Sequence, residues 1–340
     1  MLTRLEKIKS AVSLKSQKDI PVVPQITYTT HQLTGVKMLD ALKDAGKMAQ
    51  ALIAGFEEIG YDGIYSGWES SFNIMAEAMG CEMKYPENDV PCVSRGIIKN
   101  SEDLEKVKVP DPYTSPRLLL HLETLKIIRK HVGLDVPIFN YIPGPLTLAG
   151  LLMGTDSLMM NIIKKPDLVH STCRITARAA MSYAEAKLSC GGDIMVVADP
   201  TASCSLISPK MFETFSFPYL KEIFTFISKK DGIPSLHICG NTTPILDKMA
   251  DTGARIIELD HMVSLKDAKK KIGHRVCIQG NVDPSKVLLM GDPEEVYKVS
   301  KKCIEDTAEG GGFILSTGCE VPLNTPVENV KAMVRAGRET

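Results

Sequence analysis

Three residues in this chain have the types and spacing of a catalytic metal site. His237 and Cys239 stand two apart in SLHICGN, and Cys319 lies in STGCEVPLNTP. A period of two puts His237 and Cys239 on one face of an extended segment. Neutral imidazole and thiolate are both good zinc ligands, and three protein ligands leave one position open for a substrate, whereas a structural site is closed by four. The chain has no Cys-x-x-Cys pair to close such a site. A lone His-x-Cys also arises by chance, and free cysteines are commonly buried as small hydrophobes. Spacing alone therefore leaves metal binding and core packing open.

The elements that would position these residues follow a regular alternation. Short β-rich runs at Val22–Ile26, Gly63–Gly67, Ile138–Ile142, Ile194–Asp199, Ser235–Cys239, Ile256–Asp260, Val276–Gly280 and Phe313–Ser316 read as strands. Helical patterns lie between them, such as Met38–Ile59, Ser115–His131, Asp167–Leu188, Pro209–Lys229 and Pro293–Glu309. A further helix, Leu5–Leu14, precedes the first strand. Eight strands alternating with helices predict an α/β fold, a closed parallel (β/α)8 barrel with an N-terminal helical extension. No linker or repeat divides residues 1–340, so one domain is expected; the largest insertion is Met75–Asp111. In such a barrel the active site lies at the C-terminal ends of the strands. His237 and Cys239 end the fifth strand and Cys319 follows the eighth, so all three belong to the mouth.

Other rim positions are candidates with open alternatives. Glu258 and Asp260 share one face of IIELD. Asp260, nearer the rim, either fills a fourth metal position or accepts a hydrogen bond from His237; a polar layer satisfied within the barrel is the alternative. Asp199 ends VVADP, where an acid either faces substrate or caps a loop. These two are the candidate catalytic acids. Gln279 and Asn281 in CIQGN, with Tyr141 in FNYIPGP, are the candidates for holding a cofactor, and Tyr65, Trp68 and Glu69 for lining the pocket. Ordinary packing competes with function at each.

Composition excludes some partners. Forty basic residues against forty-one acidic ones give a net charge of −1 over 340 residues, no basis for binding nucleic acid or an anionic membrane. The N-terminus has no apolar run of signal-peptide length, and no stretch approaches the roughly 20 apolar residues of a membrane span. A cytoplasmic location is expected. Nine cysteines, odd in number and irregular in spacing, read as reduced thiols.

At LHICGN, CIQGNVDP and STGCEVPLNTPVENVKAMV the chain resembles the uroporphyrinogen decarboxylase superfamily, and within it the methylcobamide:coenzyme M methyltransferases and their corrinoid-dependent relatives. The likeness extends through IPGPLTLAG and ADPTASCSLISP. The family's His-x-Cys…Cys zinc motif falls on His237, Cys239 and Cys319. The resemblance implies a barrel with Zn2+ at its mouth and methylcobalamin carried by a corrinoid protein as partner. The methyl group would pass between the corrinoid and a small thiol such as coenzyme M, activated because metal coordination deprotonates it. Other relatives take the methyl group from a methoxylated or methylated substrate. The decarboxylase shares the barrel without the zinc motif. Its arginine-rich N-terminal signature, of the kind RQAGRY, is missing, and no arginine stands between Arg4 and Arg95. A site for several substrate carboxylates would need such cations.

Overall fold

Apolar runs buried on both faces build a parallel sheet in the computed structural model, which describes residues 2–68, 71–86 and 90–339. In chain order the strands are β1 (Ile64–Tyr65), β2 (Glu82–Lys84), β3 (Cys92–Arg95), β4 (Ile138–Pro143), β5 (Ile194–Ala198), β6 (Ile233–Ile238), β7 (Ile256–Leu259), β8 (Cys277–Val282) and β9 (Phe313–Thr317). Seven of them form one curled sheet in the order β1-β4-β5-β6-β7-β8-β9, every neighbouring pair parallel. β2 and β3 form a separate antiparallel pair inside the expected insertion.

Alternation along the strands sorts side chains between two apolar clusters. Tyr65, Phe139, Ile194, Val196, Ile256, Cys277 and Ile314 face one another on the concave side. Met195, Val197, Ile257, Ile278 and Leu315 face the helices. The N-terminal helix Arg4–Val12 is started by a capping box between Thr3 and Glu6, and it contributes Ile8, Ala11 and Val12 to the concave cluster. Polar residues of the same parity, among them Ser235, His237, Glu258 and Gln279, extend the concave side toward the strands' C-terminal ends, where they too are buried.

The expected first strand, Val22–Ile26, is not a regular strand; it contributes a single parallel bridge, Val22 to Leu315. Pro21 and Pro24 interrupt its donors, which limits ladder pairing. The segment nonetheless touches both edges of the sheet. Val23 N–H donates to Leu315 O at 2.9 Å and Leu315 N–H to Pro21 O at 2.9 Å, while Val22 O accepts from Asp62 N–H at 2.7 Å, two residues before β1.

Two expected helices are broken. Met38–Ile59 is split into Met38–Ala41 and Ala45–Ile59, the second capped by Asp44; Pro209–Lys229 is interrupted at Ser216, whose hydroxyl is used elsewhere. Between β4 and β5 the expected helix Asp167–Leu188 is present as Pro166–Ser189, and two further helices, Pro145–Met153 and Thr155–Lys164, precede it. Pro145–Met153 is buried nearly all round, so it carries no amphipathic stripe to read. Among the described residues no single helix is long and apolar enough to cross a membrane.

Candidate metal centre

His237 is the fifth residue of β6, on its concave face, and Cys239 follows directly after the strand. Cys319 stands two residues beyond the end of β9. The curl of the sheet brings them together. His237 Nε2 lies 3.1 Å from Cys239 Sγ, and Cys239 Sγ lies 3.5 Å from Cys319 Sγ. One ligand atom from each residue falls within 4.8 Å of the others. Bonds of about 2.0–2.3 Å to a tetrahedral ion place neighbouring ligand atoms roughly 3.3–3.8 Å apart. The three side chains therefore fit one zinc-sized ion, and their N,S,S chemistry suits it.

The two thiols and the imidazole act on one another's protonation. The hydrogen bond from Cys239 holds Cys319 well below the usual thiol range, with His237 adding to the effect. The same hydrogen bond and burial push Cys239 up. Burial alone would lower His237, but the hydrogen bond and charge of Cys319, with Glu258 beyond, raise it.

Behind the ligands runs a buried polar network. The second ring nitrogen of His237, Nδ1, faces Gln25 Nε2 at 3.5 Å and Glu258 Oε2 at 4.0 Å. Glu258 accepts from Ser235 Oγ at 2.7 Å and Tyr65 Oη at 3.2 Å; burial raises its pKa against the opposing pull of His237. Gln279 donates to Tyr65 Oη at 3.0 Å. Tyr141 donates to Gln25 Oε1 at 2.9 Å and stacks on Tyr65 at 5.0 Å between centroids. Tyr141 thus lines the cavity, whereas Gln279 sits one layer deeper.

The candidate acids are not among the residues that line the cavity. Asp199 has the parity of Met195 and Val197, so its carboxylate turns away from the concave side. Both its oxygens are engaged, by Thr147 N–H at 2.7 Å and Ser216 Oγ at 2.8 Å, and it is fully buried. Burial raises its pKa, offset by those hydrogen bonds. Asp260 accepts from Gly240 N–H at 2.8 Å and Met262 N–H at 2.9 Å, and it is not part of the His–Cys–Cys cluster. Asn281 turns its amide to Asp260 O and Val263 O at 2.9 and 2.7 Å, a loop-holding contact rather than a place in the cavity lining. Glu69 lies outside the described residues.

A cavity of about 240 Å³ opens on the three ligands. Tyr28, Trp68, Phe72 and Tyr141 give it aromatic walls. Gln25, Thr27 and Glu320 line it as well, and none of these was singled out from sequence. The signals were available: Gln25 shares the parity of Val23, which faces the concave cluster, and Glu320 directly follows a ligand. Burial pushes Glu320 up to about 8, partly countered by its hydrogen bond from Thr27 Oγ1. No Lys or Arg is among the described lining residues.

A curled parallel α/β sheet with a cavity and a His–Cys–Cys cluster able to hold a metal ion at its strand ends is the layout of an enzyme with its site at the barrel mouth. Residues 3–340 match the family described as uroporphyrinogen decarboxylase (URO-D), and the chain belongs to that family. It is 35% identical to the methylcobamide:CoM methyltransferase MtaA of Methanosarcina barkeri, over 86% of this chain and 84% of the relative. It is 34% identical to the methylcobamide:CoM methyltransferase MtbA of Methanosarcina acetivorans, over 92% and 90%. A uroporphyrinogen decarboxylase of Methylobacillus flagellatus is 29% identical over 78% and 76%. The solved structure of a methyltransferase from Methanosarcina mazei superposes with a TM-score of 0.91 at 32% identity, over 100% of this chain and 99% of that one. The chain is an enzyme of the corrinoid-dependent methyltransferase branch.

Proposed function

We propose that this enzyme moves a methyl group between methylcobalamin carried on a corrinoid protein and a small thiol such as coenzyme M, with Zn2+ held by His237, Cys239 and Cys319. The observation that carries the reading is the convergence of those three ligand atoms within 4.8 Å at the floor of a cavity, in a chain whose relatives include methylcobamide:CoM methyltransferases. A zinc ion bound there would keep a coordinated thiol deprotonated at neutral pH. The chain's own residues do the rest. The Glu258 carboxylate, facing Nδ1, favours the tautomer with Nδ1–H and so orients the imidazole with Nε2 toward the ion. Tyr141, Tyr28, Trp68 and Phe72 shape a pocket of low polarity that limits water around the sulfur. The corrinoid partner must approach the strands' C-terminal face, because the cavity opens there. Closure of the sheet into a (β/α)8 barrel by the Pro21–Val23 segment, as part of one domain, is supported by its hydrogen bonds to both sheet edges. A cytoplasmic location suits nine cysteines that form no disulfide.

The test is thiol-dependent demethylation of methylcobalamin followed by its absorbance change, alongside zinc content. Zinc-free protein with full activity, or no demethylation with any small thiol, would sink the reading. The four aromatic walls favour a second substrate class, a methoxylated aromatic compound that gives its methyl group to Co(I). Formation of methylcobalamin from such a donor, without added thiol, distinguishes it. Decarboxylation of a polycarboxylate is disfavoured, since no cation among the described lining residues would receive its carboxylates.

A further inference from the structure

Cys239 and Cys319 leave strands that are not neighbours: β7 and β8 stand between β6 and β9. No ladder hydrogen bond can therefore set the distance between the two thiols. The loop after β7 spans the gap. Asp260 Oδ2 accepts the N–H of Gly240, the residue next to Cys239, at 2.8 Å. On the other side Gly318, next to Cys319, packs so closely on this loop that a Cβ there would stand 2.4 Å from His261 N and 3.2 Å from Asp260 C. From β8, Asn281 Nδ2 clamps the loop through Asp260 O and Val263 O. Asp260 Oδ1 closes the turn on Met262 N–H at 2.9 Å. Its two oxygens thus take a backbone donor each, one in its own loop and one in the loop of Cys239.

We propose that Asp260 is a positioning residue that fixes the separation of Cys239 and Cys319, holding the thiols ready for a cation rather than ligating it. An anionic acceptor suits this place because charge-assisted bonds to backbone N–H groups are shorter and stronger than neutral ones. Gly240 adds a reason for rigidity. Its φ is +81°, and a Cβ there would meet Ser205 Oγ at 2.7 Å and Ser203 Oγ at 2.9 Å. The Cys239 loop is therefore held between Asp260 and the serines of the loop after β5. Such preorganisation spares the ion the cost of ordering its own ligands. The purpose assigned to Asp260 rests on reading the thiols as metal ligands; the geometry does not.

The test has two arms. Metal-free protein is titrated with phenylarsine oxide, which bridges two adjacent thiols with release of one water and no change of oxidation state; Cys239→Ser locates the adduct. Asp260→Ala is expected to weaken arsenical binding by about 10-fold or more, the order of effect of a supporting residue around a metal site, with Asp260→Asn between. Circular dichroism checks that both variants keep the fold, and Asn281→Ala offers a second route to the same loosening. In the other arm, Co2+-loaded Asp260→Asn should keep its thiolate charge-transfer bands but shift them, with one nitrogen and two sulfurs still seen by X-ray absorption. Wild-type arsenical affinity in folded Asp260→Ala overturns the proposal, as does loss of a metal-bound oxygen in Asp260→Asn. A wild-type chain that takes up the arsenical but no zinc counts against the metal reading alone.

Discussion

The sulfur atoms of Cys239 and Cys319 lie 3.5 Å apart although eighty residues and two intervening strands separate them. Their meeting depends on the curl of the sheet, since a flat sheet with strands about 4.8 Å apart would hold them well over 10 Å from each other. The cluster thus ties the chemistry to the fold as a whole.

Replacing either thiol should remove the metal. We expect Cys239→Ala and Cys319→Ala to purify with little zinc and to lose methyl transfer by more than about 100-fold, since even an outer hydrogen-bond partner of a ligand is worth 10–100-fold. His237→Ala should follow them. Elemental analysis and the demethylation assay on the same preparations decide it, and a zinc content equal to wild type in either cysteine variant would contradict the assignment.

Glu258 tests the layer behind the ligands. It is fully buried, 4.0 Å from His237 Nδ1, and its oxygens accept from Ser235 and Tyr65. Glu258→Gln keeps the shape but removes the charge that favours Nδ1–H and an electron-rich Nε2. Zinc affinity, measured by competition with a chromophoric chelator, should fall about 10–100-fold with the fold intact. An unchanged affinity would show that the Glu258 charge does not set the tautomer of the ring.

Asp199 offers the opposite expectation. Its carboxylate satisfies Thr147 N–H and Ser216 Oγ behind the sheet. Asp199→Ala strands two buried donors, so stability in urea should drop by about 1–3 kcal/mol for each left unsatisfied. Activity per folded molecule should be retained. A variant that stays stable but loses turnover would return Asp199 to the site.

Much of this was legible in the residues, and the misses have physical causes. Seven strands were readable because β-branched runs buried on both faces are distinct from the helices around them. The region from Val22 to Ile26 failed as a strand because two prolines remove donors, yet its extended course still carries Gln25 to His237. Period-two reasoning paired His237 with Cys239, and Glu258 with Asp260 on one face. Applied to Asp199, the same parity points it outward with Met195 and Val197, against the expectation that a strand-end acid faces substrate. The helix Pro145–Met153 was invisible because it is buried all round. Glu320 follows a ligand and Thr27 continues the parity of Val23 and Gln25, but that the two meet across the cavity is made by tertiary structure.

Lys187 makes a prediction about pH. It is buried in the helix Pro166–Ser189, with its Nζ 3.2 Å from Tyr141 O and 4.7 Å from the Tyr183 ring centroid, neither of them anionic. Burial lowers its pKa from 10.5 to about 7, with Cys190 opposing weakly. Between those values the unfolded chain binds more protons than the folded one, so stability rises with pH across that window, and the cost of the buried charge is fully present below about 7. Lys187→Met fills similar volume without the charge. It should stabilise the protein at pH 6.5 by on the order of a few kcal/mol, and the advantage over wild type should shrink steadily toward about pH 9.5. Urea unfolding of both proteins at the two pH values gives the difference directly, so other titrating groups common to both cancel. Parallel stability curves would show that Lys187 is charged and satisfied in the fold throughout.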